Sequence, residues 1–203
     1  MSEISPGTTV DEPVEPALPH HKAKSLRHHV TEWGIIIIVA LVVSLGLRTY
    51  AFQTFYIPSV SMQPTLQVGD RIIVDKLSAR FGTIHRGDIL VFKSPPTENC
   101  GGPPVADLVK RVIGLPGDHL YSVGNTIYVN GTKLNEAWPH IEPLGTPIAT
   151  ANNPIVVAPN HYFMMGDNHP DSCDSRFWGT IPRSDIIGKA FVRIWPLNRL
   201  GSL

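Results

Sequence analysis

From Trp33 to Leu47 the chain reads WGIIIIVALVVSLGL, fifteen residues without a charge. At about 1.5 Å per residue that run makes roughly 22 Å of helix, short of the ~30 Å hydrocarbon core of a bilayer. Continuing to Phe52 reaches about 30 Å, with Arg48 extending toward the far interface and Trp33 and Tyr50 near the two interfaces. Three readings compete. A buried core helix would carry a polar stripe, and this run has none. A cleaved signal peptide would end at Thr49-Tyr50-Ala51, which has small residues at −3 and −1. An uncleaved membrane anchor over 32–52 accounts best for Arg48 against the apolar run and for FQTFYIP, which reads as continuing structure.

The flanks orient the segment. Lys22, Lys24 and Arg27 precede it, whereas only Arg48 follows before Arg71. Positive charge on the cytoplasmic side then places residues 1–31 in the cytoplasm and 53–203 outside the cell, a single-pass protein of the cell membrane. Residues 1–19 hold four acids, four prolines and no base, so 1–31 reads as a disordered tail. The extracytoplasmic compartment is oxidising, which permits disulfides.

Charge and composition exclude other classes. Seventeen Lys+Arg balance 17 Asp+Glu, which argues against a nucleic-acid binder held by phosphate contacts. Two cysteines cannot build a four-thiolate zinc site. The outer histidines (85, 119, 140, 161, 169) lack metal-ligand spacing, and there is no G-x-S-x-G, H-E-x-x-H, C-x-x-C or phosphate-cradling glycine loop. No metal and no organic cofactor is expected.

Residues 53–203 read as all-β. Arg71–Lys76 and Asp88–Lys93 are apolar runs after Gly-Asp turns, and Val109–Leu115 ends at Pro116-Gly117-Asp118. Leu120–Val123 and Thr126–Val129 flank Gly124-Asn125 as a hairpin, and Asn130-Gly131 is a further turn. His161–Met165 and Lys189–Trp195 complete the strands, and 134–160, with five prolines, reads as a long surface excursion.

Three stretches could carry chemistry. Ile57-Pro58-Ser59-Val60-Ser61-Met62-Gln63-Pro64-Thr65-Leu66 stiffens two serines between prolines; alone it equally suits a linker. In Val109–Asp118, strand alternation puts Lys110 on one face with Val112 and Arg111 on the other with Ile113. Either one of these bases faces solvent, or Lys110 points inward, loses hydration and becomes a base. Gly166-Asp167-Asn168-His169-Pro170-Asp171-Ser172-Cys173-Asp174-Ser175-Arg176 is either a polar turn or a loop fixed by an Asp174–Arg176 pair.

In this order after one apolar helix, P-S-x-S-M-x-P-T-L, K-R-x-x-G-x-P-G-D and G-D-N-x-x-x-S-x-D-S-R resemble the type I signal peptidases, membrane-bound proteases with a Ser/Lys dyad. The likeness covers roughly 33–200. It implies a mainly β fold, in which antiparallel sheets form a signal-peptidase-like catalytic domain behind a single N-terminal transmembrane helix. It further implies removal of signal peptides from secreted preproteins by cleavage after small residues at −1 and −3. Carried over by position, Ser61 is the nucleophile, Lys110 the general base and Ser59 an oxyanion-hole hydroxyl. Ser172 orients the lysine, and Asp167, Asp174 and Arg176 shape the site. Phe55, Ile57, Ile72 and Val109 line the pockets for the substrate side chains. The implied partners are preproteins and the lipid membrane, with no nucleic acid and no obligate protein partner evident.

His169-Pro170 stands where the family usually has Arg after Gly-Asp-Asn. If Lys110 and Ser172 touch, Cys100 and Cys173 come close, so a disulfide between them is expected. The rivals are a Ser/Lys protease of the self-cleaving repressor type, a non-catalytic tethered module that binds extended peptides, and a secreted domain cut after Ala51.

Overall fold

The computed structural model of the chain describes residues 26–101 and 105–203, and within them all side chains except those of 26–29 and 47–49. The tail to residue 25, with Lys22 and Lys24, lies outside the described residues, as do the side chains of Arg27 and Arg48.

The apolar run is helical, in α1 (Leu26–Tyr50). Ile35, Ile36, Ile37 and Ile38 are all exposed, and four consecutive positions look out on every side of a helix, so this is no core helix. Described side chains of the run stop at Gly46, and among the described residues no helix is long and apolar enough to cross a membrane. The chain divides into two units between Val42 and Val43, and the second is the β-rich body.

That body begins immediately after the helix, with β1 (Phe52–Tyr56) and β2 (Arg71–Asp75). A short α2 (Lys76–Phe81) follows, where the sequence reading had continued the strand to Lys76. Asp75 caps it, its side chain accepting from the amides of Leu77 and Ser78 at 2.8 and 3.1 Å. Then come β3 (Ile89–Lys93), β4 (Asp107–Gly114), β5 (His119–Val123), β6 (Thr126–Val129), β7 (Thr132–Lys133), β8 (Ile155–Val156) and β9 (His161–Met165). The chain closes with α3 (Ser175–Trp178), β10 (Ile181–Pro182), β11 (Ile186–Trp195) and β12 (Gly201–Ser202).

All named strand pairs are antiparallel. One sheet runs β1-β2-β11-β3-β4-β9-β10 with β12 beside β11, and the other runs β7-β6-β5-β8. The β6–β7 turn is Asn130-Gly131, with φ of 52° and 80°; two left-handed residues in succession suit the right-handed twist of a hairpin.

The core explains why the strands read as unbroken apolar runs. On β3, Ile89 and Val91 enter one cluster with Ile57, Met62, Leu66 and Ile72, while Leu90 and Phe92 enter another with Val112, Met164 and Trp178. On β9, Phe163 and Met165 pack with Leu120, Ile127 and Leu144, opposite Tyr162 and Met164. Strands buried on both faces lose the polar half of their alternation. The segment 134–160 is not simply a surface excursion, since Leu144, Ile148 and Val157 are buried in the cluster under the smaller sheet.

Candidate active site

The sequence Ile57–Asp70 links β1 to β2 as a compact loop. The Ile57 amide donates to Asp70 O (2.9 Å) and Gly69 N–H returns to Ile57 O (2.9 Å), so the loop closes on itself. Asp70 is fully buried and holds the loop from the far side. It accepts from Gln67 N–H at 2.8 Å and from Arg199 Nη1 at 2.9 and 3.0 Å. Arg193 Nη1 adds a bond to Thr65 O at 2.8 Å. These arginines lie at the chain's far end, and nothing in their local sequence marks them.

Ser61 sits at the inner turn of that loop, 8% exposed. A second loop clamps its backbone: Asn168 N–H donates to Ser61 O (3.0 Å) and Asn168 Nδ2 to Val60 O (3.2 Å). Gly166 permits this approach. A Cβ there would collide with both Ser61 O and the Ser172 hydroxyl. Gly69, Gly87 and Gly117 start the other Gly-Asp pairs and hold φ near +90°, which is turn chemistry; Gly166 is required by space instead.

Lys110 Nζ lies 2.6 Å from Ser61 Oγ, and Ser59 Oγ lies 3.2 Å from the same oxygen. Lys110 is 3% exposed. Loss of hydration pulls its pKa from the usual 10.5 down to about 8; Asp174, Asp167 and Glu98 oppose the fall, and Arg176 assists it. Neither base on this strand faces solvent, because both faces are covered: Arg111 is 6% exposed. Its Nε and Nη2 donate to Asp167 at 2.7 and 2.6 Å, and its Nη1 donates to Gly87 O at 2.7 Å. The Trp138 ring covers the guanidinium at 5.1 Å, and Thr65 Oγ1 donates to Asp167 at 2.5 Å.

Asp174 and Arg176 form the same kind of pair, at 2.8 and 2.7 Å, and are almost wholly buried. Arg176 also donates to the carbonyls of His169 (2.7 Å), Ser172 (3.2 Å) and Leu144, so it stitches the loop to the 134–160 segment. His169 is buried with its Nε2 3.4 Å from Glu136 and its ring stacked on His140.

Ser172 Oγ is buried and has no hydrogen-bond partner, so the expected bond to Lys110 is not made. Phe55, Ile57 and Val109 line a cleft of about 170 Å³ together with Ser59, Ser61 and Lys110. Ile72 does not. It pairs with Phe55 in the β1–β2 register, on the same face of the sheet, but is completely buried in the core cluster that Phe55 packs against. Cys100 and Cys173 are disulfide-bonded, their Cα atoms 6.0 Å apart.

Sequence reading missed Arg111, Thr65, Asp70 and Asn168. Arg111 was visible as a second base inside an apolar strand, and Asn168 as part of the Gly-Asp-Asn run. Thr65 lies in the P-T-L end of the serine stretch and Asp70 in a Gly-Asp turn, but neither pattern shows which distant residue it meets.

A hydroxyl, an amine kept near neutrality and a shallow apolar cleft can together perform acyl transfer. A family model described as signal peptidase, peptidase S26, matches residues 30–195. A probable signal peptidase I-2 from Synechocystis is 40% identical over 173 residues, 85% of this chain and 76% of that one. Signal peptidase I of Leptolyngbya laminosa is 39% identical over 204 residues, 100% of this chain and 96% of that one. Among solved structures, a signal peptidase I from Enterococcus faecalis is 28% identical, with a TM-score of 0.41, covering 53% of this chain and 96% of that one.

Proposed function

Because the chain belongs to the signal peptidase family, peptidase S26, we propose that it is a membrane-anchored serine endopeptidase that removes signal peptides from secreted preproteins. The observation that carries the assignment of roles is the 2.6 Å approach of Lys110 Nζ to Ser61 Oγ within a buried site.

In this reading the neutral Lys110 amine accepts the Ser61 hydroxyl proton as Oγ attacks the scissile carbonyl. The Ser61 amide makes no hydrogen bond among the described residues, and with the Ser59 hydroxyl it forms the pair of donors for the oxyanion. Water activated by the same amine then releases the acyl-enzyme. β1 is an edge strand, so an extended substrate can add alongside it and alternate its side chains into the cleft. A volume of about 170 Å³ bounded by Phe55, Ile57 and Val109 suits small residues at −1 and −3.

α1 is the anchor. Its 25 residues span about 37 Å, enough for a bilayer core, and no charged residue falls between Trp33 and Leu47. The basic flank before it sets the N-terminus in the cytoplasm and the β-rich body outside. Tethering raises the local concentration of membrane-delivered substrates.

The test is cleavage of a preprotein in detergent by wild type, Ser61→Ala and Lys110→Ala. Both variants lose product; activity retained by either removes that residue from the mechanism. For wild type, kcat/KM rises with pH and levels off above an inflection near 8, because only the deprotonated amine is a base. At pH 7 about one enzyme in ten is then competent. A profile flat from pH 6 to about 9 would exclude Lys110 as the titrating base.

A further inference from the structure

Among the described residues the wall of the Ser61 cleft holds a single acid, Asp107, and the mechanism above does not use it. The wall continues from Lys110 back along β4 through Val109 and Asp107 to Val105. Side chains alternate along a strand, so Asp107 and Val109 share a face. On that face Val109 packs against the cluster of Ile57 and Met62, whereas Leu108 turns to the opposite cluster with Phe92. Asp107 is exposed, at the open end of the cleft.

Its carboxylate is uncommitted. The side chain of Asp107 makes no hydrogen bond or ion pair among the described residues, and Lys93, its partner in the β3–β4 register, forms no ion pair with it. Asp167 and Asp174, by contrast, are each held by an arginine. Nor does Asp107 serve the dyad, since the charges that act on Lys110 are Asp174, Arg176, Asp167 and Glu98.

Register assigns a substrate position to it. The scissile bond must lie at Ser61 Oγ beside Lys110, so the residues before the bond run back along this wall, with −3 against Phe55 and Val109. Over 107–110, β4 is paired on one side only, with β3, because β9 joins from Arg111 onward. An open backbone edge therefore accompanies the substrate there. An extended peptide and a strand both advance about 3.3 Å per residue, so two residues back from −3 match two residues back from Val109. That places −5 at Asp107, on the side of the peptide that carries −1 and −3.

We propose that Asp107 is a specificity-determining residue that favours substrates with a basic side chain, lysine or arginine, at −5. The inference rests on the reading of Ser61 and Lys110 as the dyad of a signal peptidase. The methylenes of such a side chain lie along Val105 while its charge meets the carboxylate. The pair is exposed, so its effect is modest and sensitive to salt.

The test measures kcat/KM of the full chain in detergent at low salt. The substrates are preproteins identical except for Lys, Gln or Glu at −5, and a fourth with Gln at −5 and Lys at −4. Wild type prefers Lys to Gln at −5 about threefold and Lys to Glu about tenfold, and about 0.5 M salt removes most of the difference. Asp107→Asn brings the Lys and Glu substrates within about twofold of each other, and Asp107→Lys reverses their order. Lysine at −4 points away from this face and gives no gain. Equal kcat/KM for Lys and Glu at −5 in wild type, a preference that survives in Asp107→Asn, or an equal gain from Lys at −4 overturns the proposal. Ser61→Ala separates it from the reading it rests on. Product formed by Ser61→Ala overturns that reading, whereas cleavage that needs Ser61 but ignores −5 overturns this inference alone.

Discussion

Lys110 and Arg111 are adjacent on β4 and almost equally buried, yet the chemistry around them is opposite. Arg111 has a carboxylate in bidentate contact, a carbonyl and an aromatic face. Lys110 has a serine hydroxyl. Of the three carboxylates that act on the lysine, the two aspartates are taken: Asp167 by Arg111 and Asp174 by Arg176. Arg176 works against the pull of Asp174 on the amine, while Arg111 holds Asp167 in its own bidentate contact. The comparison teaches that a dry lysine requires more than apolar walls; neighbouring anions must be committed elsewhere.

The largest test exchanges the two chemistries. Lys110→Arg keeps a cation on the strand, but a guanidinium cannot give up its proton in this pH range. Preprotein cleavage is expected to fall about six orders of magnitude, as when the nucleophile or the general base of a serine-protease triad is removed. Measurable activity with a normal pH profile would show that the amine is not the base.

Next in size is removal of the paired cation. Arg111→Ala leaves Asp167 buried without its counter-charge, and the loss of a buried pair by one partner costs about 3–5 kcal/mol. Chemical denaturation of the variant should show a destabilisation of that order. A change under about 1 kcal/mol would mean that Thr65 alone satisfies Asp167.

Lys110 should behave in the opposite sense. Its folded pKa of about 8 lies below the 10.5 of the free side chain, so between those values the unfolded chain binds more protons than the folded one. Stability therefore rises with pH across that window, and the full cost of drying the amine is present below 8. That cost is about 3 kcal/mol. Lys110→Met is expected to be the more stable protein at pH 7, by about that amount, and to lose the advantage above pH 10.5. A Met variant no more stable than wild type at pH 7 would mean that the lysine is solvated.

The same contrast marks how much was legible beforehand. Strand positions follow from apolar runs and turn residues, and the β5–β6 hairpin lies within one residue of its sequence bounds. The site's principal members were recognisable because their spacing resembles a known family. What escaped was whatever depends on layers meeting. Burial of Arg111 needs both faces of β4 covered, and Arg199 reaches Asp70 across 129 residues. Ile72 shows the converse: it shares a sheet face with its register partner Phe55, yet Phe55 reaches the cleft while Ile72 is fully buried in the cluster that Phe55 packs against. No local pattern encodes which residues of one apolar face reach a cleft.

The smallest expected effect concerns Ser172. Its hydroxyl is packed against Gly166 and the Ser61 backbone with no hydrogen bond to lose, so Ser172→Ala removes a buried unsatisfied group. Folding stability should stay the same or increase by up to about 1 kcal/mol. Cleavage should nevertheless fall about tenfold if the hydroxyl turns to Lys110 once substrate excludes water, since apo contacts in such sites tighten only in the complex. The loss should lie in kcat rather than KM, because the lysine touches the reacting hydroxyl and not the substrate's side chains. A variant with full kcat and lowered stability would make Ser172 a packing residue, leaving Ser61 as the amine's hydrogen-bond partner among the described residues.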